Sequence, residues 1–109
     1  MNGRAYKVVE NTEVLSDYIA IAEHITRWTG DLALADRTVD AIRDFIKSLG
    51  TLPHRGVLRD DLHPALRLIP FGKRSVIACE IDEDGGVVTV LRVFYGGQDY
   101  EAIVGTPPP

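Results

Sequence analysis

Three histidines, one cysteine, a pair of adjacent aspartates and several glycine-rich turns are the residues whose types could support chemistry. A metal centre needs several His, Cys or carboxylate ligands that converge. His24 falls in a helical stretch, His54 and His63 stand nine positions apart in a loop, and Cys79 is alone in a strand. None of these has a metal-ligand spacing, so no metal is expected. Cys79 as a nucleophile would need a partner base and partial exposure; within "SVIACEI" it reads as a small buried apolar residue. Asp60-Asp61 could form an acid–base pair, but adjacent residues in a loop with Pro and Gly read as turn-formers. "FGK", "DGG" and "YGGQD" hold glycines without a phosphate-binding fingerprint. No cofactor is expected.

One catalytic device needs neither metal nor cofactor. A ribonuclease activates the 2′-hydroxyl, neutralises the scissile phosphate and protonates the leaving oxygen. Arg67, Arg74 and Arg92 could serve the phosphate, and Glu80 or Tyr95 would be the available bases. No histidine or spare lysine obviously joins them. "RVFYGGQDYE" (92–101) poses the choice sharply: a β-branched and aromatic run stops at two glycines, and Gln98-Asp99-Tyr100-Glu101 follows at once. That cluster is either the working end of a catalyst or the finish of a strand.

Composition narrows the classes. Apolar content of 45% and charged content of 26% are ordinary globular values. The length suits one domain, taken as residues 1–104, with "GTPPP" (105–109) as a flexible tail. No apolar run approaches the ~20 residues that span a bilayer, and the single cysteine fits a reducing, cytoplasmic setting. The net charge of −4 divides into −2 over residues 1–52, +2 over 53–81 and −4 over 82–109. Proteins that hold nucleic acid through its phosphates need a surplus of Lys and Arg. This chain lacks one, so neither direct nucleic-acid binding nor a membrane partner is expected.

The elements that must position these residues follow from periodicity. "RAYKVVE" (4–10) reads as a first strand. Asn11 and Thr12 can cap a helix in which Val14, Tyr18, Ile21, Ile25 and Trp28 form one apolar face, widened by Leu15, Ala22 and Thr29. Gly30 ends it, Asp31 caps the next, and Ala35, Val39, Ile42, Ile46 and Leu49 repeat the 4-3-4-3 spacing up to Gly50. Two such helices with almost no linker fold back as an antiparallel hairpin. After a loop at 51–64, "ALRLIPF" (65–71), "KRSVIACEI" (73–81) and "VVTVLRVFY" (87–95) read as three strands of a meander. The expected fold is α+β, in the order β-α-α-β-β-β, with an antiparallel sheet and a helical hairpin packed on one face.

Alternation then divides each strand between two faces, and neither set is polar in the manner of a solvated face. With one helical layer available, Ile77, Cys79, Ile81, Leu91 and Val93 are expected to meet the helices. The other face would show Arg67, Ile69, Arg74, Val76, Val90, Arg92 and Phe94, an apolar floor studded with arginines. Burying four such apolar side chains is worth ~1.5–3 kcal/mol each before association costs, so an open floor reads as a binding surface. The alternative is that the loop 51–64 folds over the sheet and the patch is ordinary core.

The run "LPHRG…RDDLHPALRLIPFGKRSVIACEID…VVTVLRVFYGGQDYEAIV" resembles the ParE branch of the RelE/ParE toxin superfamily. The likeness rests on Pro53 and Gly56 after the second helix, Leu66-Arg67 and Pro70-Phe71-Gly72 on the next strand, Arg92-Val93 on the last strand and Asp99-Tyr100 beyond it. It implies the toxin half of a bacterial type II toxin–antitoxin pair, concerned with growth arrest and plasmid or chromosome maintenance. The partner implied is a cognate antitoxin whose flexible C-terminal segment folds onto the toxin, in a hetero-oligomer such as a heterotetramer. ParE-like members poison DNA gyrase, whereas RelE-like members cut ribosome-bound mRNA. RelE-like nucleases place a basic residue after the last strand with a tyrosine downstream. Here Tyr95-Gly96-Gly97-Gln98-Asp99 has no basic residue, and Tyr100 sits between Asp99 and Glu101. Arg74 matches an arginine of the nucleolytic branch. The resemblance therefore implies gyrase inhibition by binding, with mRNA cleavage as the alternative. Arg67, Arg74 and Arg92 would meet acidic groups of antitoxin or target, with Ile69, Val90 and Phe94 as the floor and Gln98, Asp99 and Tyr100 fixing the C-terminal segment or touching the target.

Overall fold

The computed structural model describes residues 5–96. A first strand, β1 (Lys7–Glu10), leads into helices α1 (Thr12–Thr29) and α2 (Leu32–Ser48). Four strands follow: β2 (Val57–Leu58), β3 (Leu66–Phe71), β4 (Ser75–Asp82) and β5 (Val87–Tyr95). All five strands form one sheet in the order β1-β5-β4-β3-β2. The β3-β4-β5 meander is antiparallel, while β1 lies parallel to β5 from Lys7↔Val87 to Glu10↔Val90. The expected α+β architecture is the observed one. Its addition is β2, hidden in the loop 51–64: two residues are too few for alternation to show, yet Val57 and Leu58 pair with Leu68 and Arg67. The expected tail 105–109 lies outside the described residues.

Helix boundaries obey local chemistry. The Asn11 side chain accepts from Thr12 N–H at 2.8 Å, and Asp31 accepts from Leu34 N–H at 3.0 Å. Gly30 closes α1 at φ 68°, a left-handed value with little cost only for glycine. Gly50 does not close α2 in that manner; the C-cap is Leu49 in the right-handed region. Gly50 is needed for proximity instead, since a Cβ there would stand 3.0 Å from the Tyr6 carbonyl oxygen.

The helical stripes pack on the sheet largely as their spacing dictates. Val14, Tyr18, Ile21 and Ile25 of α1 and Ala35, Ile42, Ile46 and Leu49 at α2 join Ile69, Ile77, Cys79, Val88, Val90 and Val93 in one core. Three α1 residues depart from expectation, the exposed Thr29 among them. Trp28 is 74% exposed and Leu15 65% exposed. Trp28 occupies the last turn of α1, level with the end of β5 at Tyr95 and Gly96, where the sheet under it runs out.

The division of the sheet's faces needs a larger correction. β4 and β5 slip by one residue between Ala78 and Cys79: Ala78 pairs with Arg92 but Cys79 with Val90, leaving Leu91 without an opposite number. Such a bulge inverts the alternation beyond it. Val88 and Val90 thus face the helices before the bulge and Val93 after it, while Leu91 joins the opposite face. Ile69 also belongs to the helix-side core, so Ile69 and Val90 are not part of an open floor.

That second face is closed at its centre. Leu66, Leu68, Ala78 and Phe94 form their own buried cluster, ringed by Leu62, Val76 and Leu91, and Phe94 is 1% exposed. Leu62 comes from the turn joining β2 to β3. Asp60 and Asp61 build this turn: the Asp60 carboxylate accepts from Ala65 N–H at 2.8 Å, and Asp61 receives two hydrogen bonds from Arg59 at 2.9 and 2.8 Å. The expected apolar floor is therefore core, not vacant surface.

Candidate functional site

The arginines expected to act together occupy three different environments. Arg67 stands opposite Cys79 in the β3–β4 register, half-buried under the loop after α2. Its guanidinium points to the backbone carbonyls of His54 and Arg55 at 3.4 and 3.5 Å. The same loop is pinned by His54, whose ring contacts Glu83 at 2.7 Å, while the other Glu83 oxygen accepts from the Tyr6 hydroxyl at 2.7 Å.

Arg92 follows the bulge and is committed to a partner 75 residues away. Its Nε lies 3.0 Å and its Nη2 2.9 Å from the Asp17 carboxylate, a two-point ion pair. Asp17 Oδ2 also accepts from Val93 N–H at 2.8 Å. Asp17 is only 8% exposed, so this carboxylate is desolvated and balanced by three donors. The hydrogen bonds Arg92 donates to Asp17 outweigh burial and raise its pKa, fixing its charge. The Arg92 guanidinium also lies over the Phe94 ring, 5.4 Å from its centroid. Asp17 was not singled out from sequence, although a signal was there: it falls three residues after Val14 and four before Ile21, on the buried stripe, where a carboxylate requires a cation.

Arg74 is the exposed member of the three. It sits in the turn between β3 and β4 and makes no side-chain hydrogen bond or ion pair among the described residues. Two adjoining clefts share it, together with Thr38 and Tyr95. One, of about 370 Å³, runs between α2 and the turn and adds Arg37, Lys73 and Phe71. The other, of about 540 Å³, reaches the end of the helical hairpin and adds His24, Trp28 and Leu34. Among the described residues, no carboxylate lines either cleft. A third cleft, of about 440 Å³, passes beneath α1 and is mixed in sign, with Asp17 and Glu23 beside Arg27 and Arg92. His24 links the second and third, its ring 5.9 Å from that of Tyr95 and 6.2 Å from that of Trp28.

The remaining candidates do not converge. Cys79 is fully buried, and burial pushes its thiol up to about 11, against a weaker pull downward from Arg67. Glu80 faces His63 at 3.8 Å, whereas Tyr95 lines the clefts. The register puts Glu80 opposite Thr89 and Tyr95 opposite Ser75, five positions apart along β4, or roughly 16 Å. The two candidate bases cannot serve one phosphate. Gln98, Asp99 and Tyr100 lie outside the described residues. From sequence His24, Trp28 and Arg37 read as helix residues and Lys73 as the start of a strand; the structure places Lys73 in the β3–β4 turn, and only the packing of α2 against that turn brings them together.

A comparison with curated protein sequences finds no match. Among solved structures, the chain resembles one described as the chromosomal ParDE toxin–antitoxin system of P. aeruginosa, with a TM-score of 0.72 and 18% identity over 86% of this chain and 99% of the other. It also resembles a chain of the RelBE2 toxin–antitoxin complex of Mycobacterium tuberculosis, with a TM-score of 0.62 and 18% identity over 84% and 99%. At these identities the likeness concerns the fold. The family model of the ParE toxin of the type II toxin–antitoxin system, parDE, matches residues 10–100. The chain therefore belongs to the ParE toxin family, within the RelE/ParE superfamily of type II toxin–antitoxin systems.

Proposed function

We propose that this toxin acts in the cytoplasm by binding DNA gyrase and inhibiting it, and that a cognate antitoxin neutralises it in a hetero-oligomer. The gyrase target is what membership of the ParE branch implies, and the two similar folds from toxin–antitoxin systems support the antitoxin. The observation that carries a binding mode over a catalytic one is the Asp17–Arg92 pair. The sole basic residue of β5 is already neutralised by a carboxylate, and stabilising a cleaved phosphate needs a cation whose charge is directed at the reacting oxygens. The separation of Glu80 from Tyr95 supports the same reading.

A second reading, ribosome-dependent mRNA cleavage, is favoured by one feature: Arg37, Lys73 and Arg74 line a cleft that Tyr95 also lines. A gyrase supercoiling assay run beside a translation-coupled cleavage assay separates the two. Inhibited supercoiling with intact message is expected. Codon-linked cleavage with normal supercoiling would discard the gyrase reading.

A further inference from the structure

We infer that the two adjoining clefts around Arg74, lined by cations and apolar groups among the described residues, dock an acidic segment of the antitoxin that also carries apolar side chains. This rests on the reading that the chain works within a toxin–antitoxin pair, and it replaces the sheet face as the receptor, since the centre of that face is closed.

Three observations on the surface carry it. First, Arg37, Lys73 and Arg74 line one cleft and none makes a side-chain ion pair among the described residues. Asp36 and Asp40 flank Arg37 on α2 without an ion pair to it, so among the described residues no carboxylate balances these cations. Three like charges on one concave wall repel one another, and a carboxylate-bearing segment relieves that repulsion while forming charge-assisted hydrogen bonds. Second, Trp28 lines the adjoining cleft at 74% exposure, and Leu32 just beyond it is 69% exposed. Trp and Arg are the side chains that most often anchor protein interfaces when desolvated. An exposed indole beside unpaired guanidiniums fits a segment with both acidic and apolar residues. Third, the chain as a whole carries −4. A nucleic acid is a continuous polyanion and would run from these three cations onto a net-acidic surface, whereas a short acidic segment matches the patch and stops.

Trp28 is the chain's only tryptophan, so its emission reports occupancy of the site directly. The probes are a labelled peptide alternating Glu with Leu, its counterpart with Lys for Glu, and a single-stranded RNA oligomer. The Glu/Leu peptide is expected to bind, to shift Trp28 emission and to weaken as salt is raised. R74E and R37E should each lower its affinity by about tenfold or more. K7E, the same charge change on exposed Lys7 of β1, should leave affinity within about twofold, since β1 pairs with the far end of β5. Thermal melts of each variant check that the fold survives. A Glu/Leu peptide that binds no better than the Lys/Leu one, an R74E variant that behaves like K7E, or capture of the RNA in its place overturns the inference. The product of the adjacent reading frame separates the two levels of the argument. If it binds this toxin with equal affinity for R74E and the unaltered chain, the pairing stands and the cleft assignment falls. If it fails to bind while the Glu/Leu peptide docks as described, the pairing falls and the acidic-segment site stands.

Discussion

Arg92 on β5 and Arg74 in the β3–β4 turn stand four positions apart in the β4 register, yet they do opposite things. Arg92 is held in two-point contact with buried Asp17, stacks on Phe94 and stitches α1 to the sheet. Arg74 sits exposed in a turn and makes no side-chain ion pair among the described residues. The cost of desolvation explains the difference. A carboxylate as buried as Asp17 needs compensating donors inside the fold, so its cation is consumed there. A cation left in water has no such obligation and remains available to a partner. The chemistry of arginine alone does not say which role a given residue takes; the burial of its nearest carboxylate does.

The contrast makes predictions of decreasing size. Asp17→Ala should cost about 3 kcal/mol in urea-unfolding free energy, because it strands the Arg92 charge and removes the acceptor of Val93 N–H. A loss below about 1 kcal/mol would mean that water replaces the carboxylate and that the pair is surface-like. Arg92→Lys keeps the charge but loses the fork, and should cost about 1–2 kcal/mol by the same measurement. Arg74→Ala should change stability by about 0.5 kcal/mol or less, the range of exposed sites away from any network, while weakening partner binding. A large melting shift here would show that Arg74 serves the fold after all.

Cys79 supplies a pH test of the core itself. Its folded pKa of about 11 lies above the ordinary value near 9.0. A raised folded value means the stabilisation is whole below the unfolded pKa and is lost as pH climbs through the folded one. Stability should therefore hold up to about pH 9 and fall between 9 and 11. Tyr18 adds to the alkaline decline, since burial and the hydrogen bond it donates to Glu10 hold its phenol well above its usual value. Cys79→Ser should remove the thiol's part of the drop, and thiol alkylation of the native protein near neutral pH should be slow. Rapid alkylation would place Cys79 in an accessible setting.

Much of the fold was legible because its signals are local and repeat. The 4-3-4-3 stripes from Val14 and Ala35 announce both helices, and Asn11, Gly30 and Asp31 mark their limits. Runs such as "VVTVLRVFY" carry enough β-branched residues to name the strand. The faces were less legible, because one unpaired residue, Leu91, reverses the in–out assignment and leaves no mark in composition. The site was legible only in part. Arg67, Arg74 and Arg92 were picked out as a set, but whether each is spent or spare depends on contacts such as Asp17–Arg92 that join distant parts of the chain. Trp28 matched the helical period and was misplaced because periodicity cannot show where the sheet beneath a helix stops.

The acceptor that Asp17 offers to Val93 N–H has a further consequence. β1 accompanies β5 only as far as Val90, so the margin of β5 beyond it would present a bare backbone to any passing strand. With that amide occupied by a side chain of the chain's own helix, strand addition and the self-association that begins with it are discouraged along this border. Extension of the sheet by another polypeptide is thereby turned away from this stretch of β5 and left to the outer edges of β1 and β2.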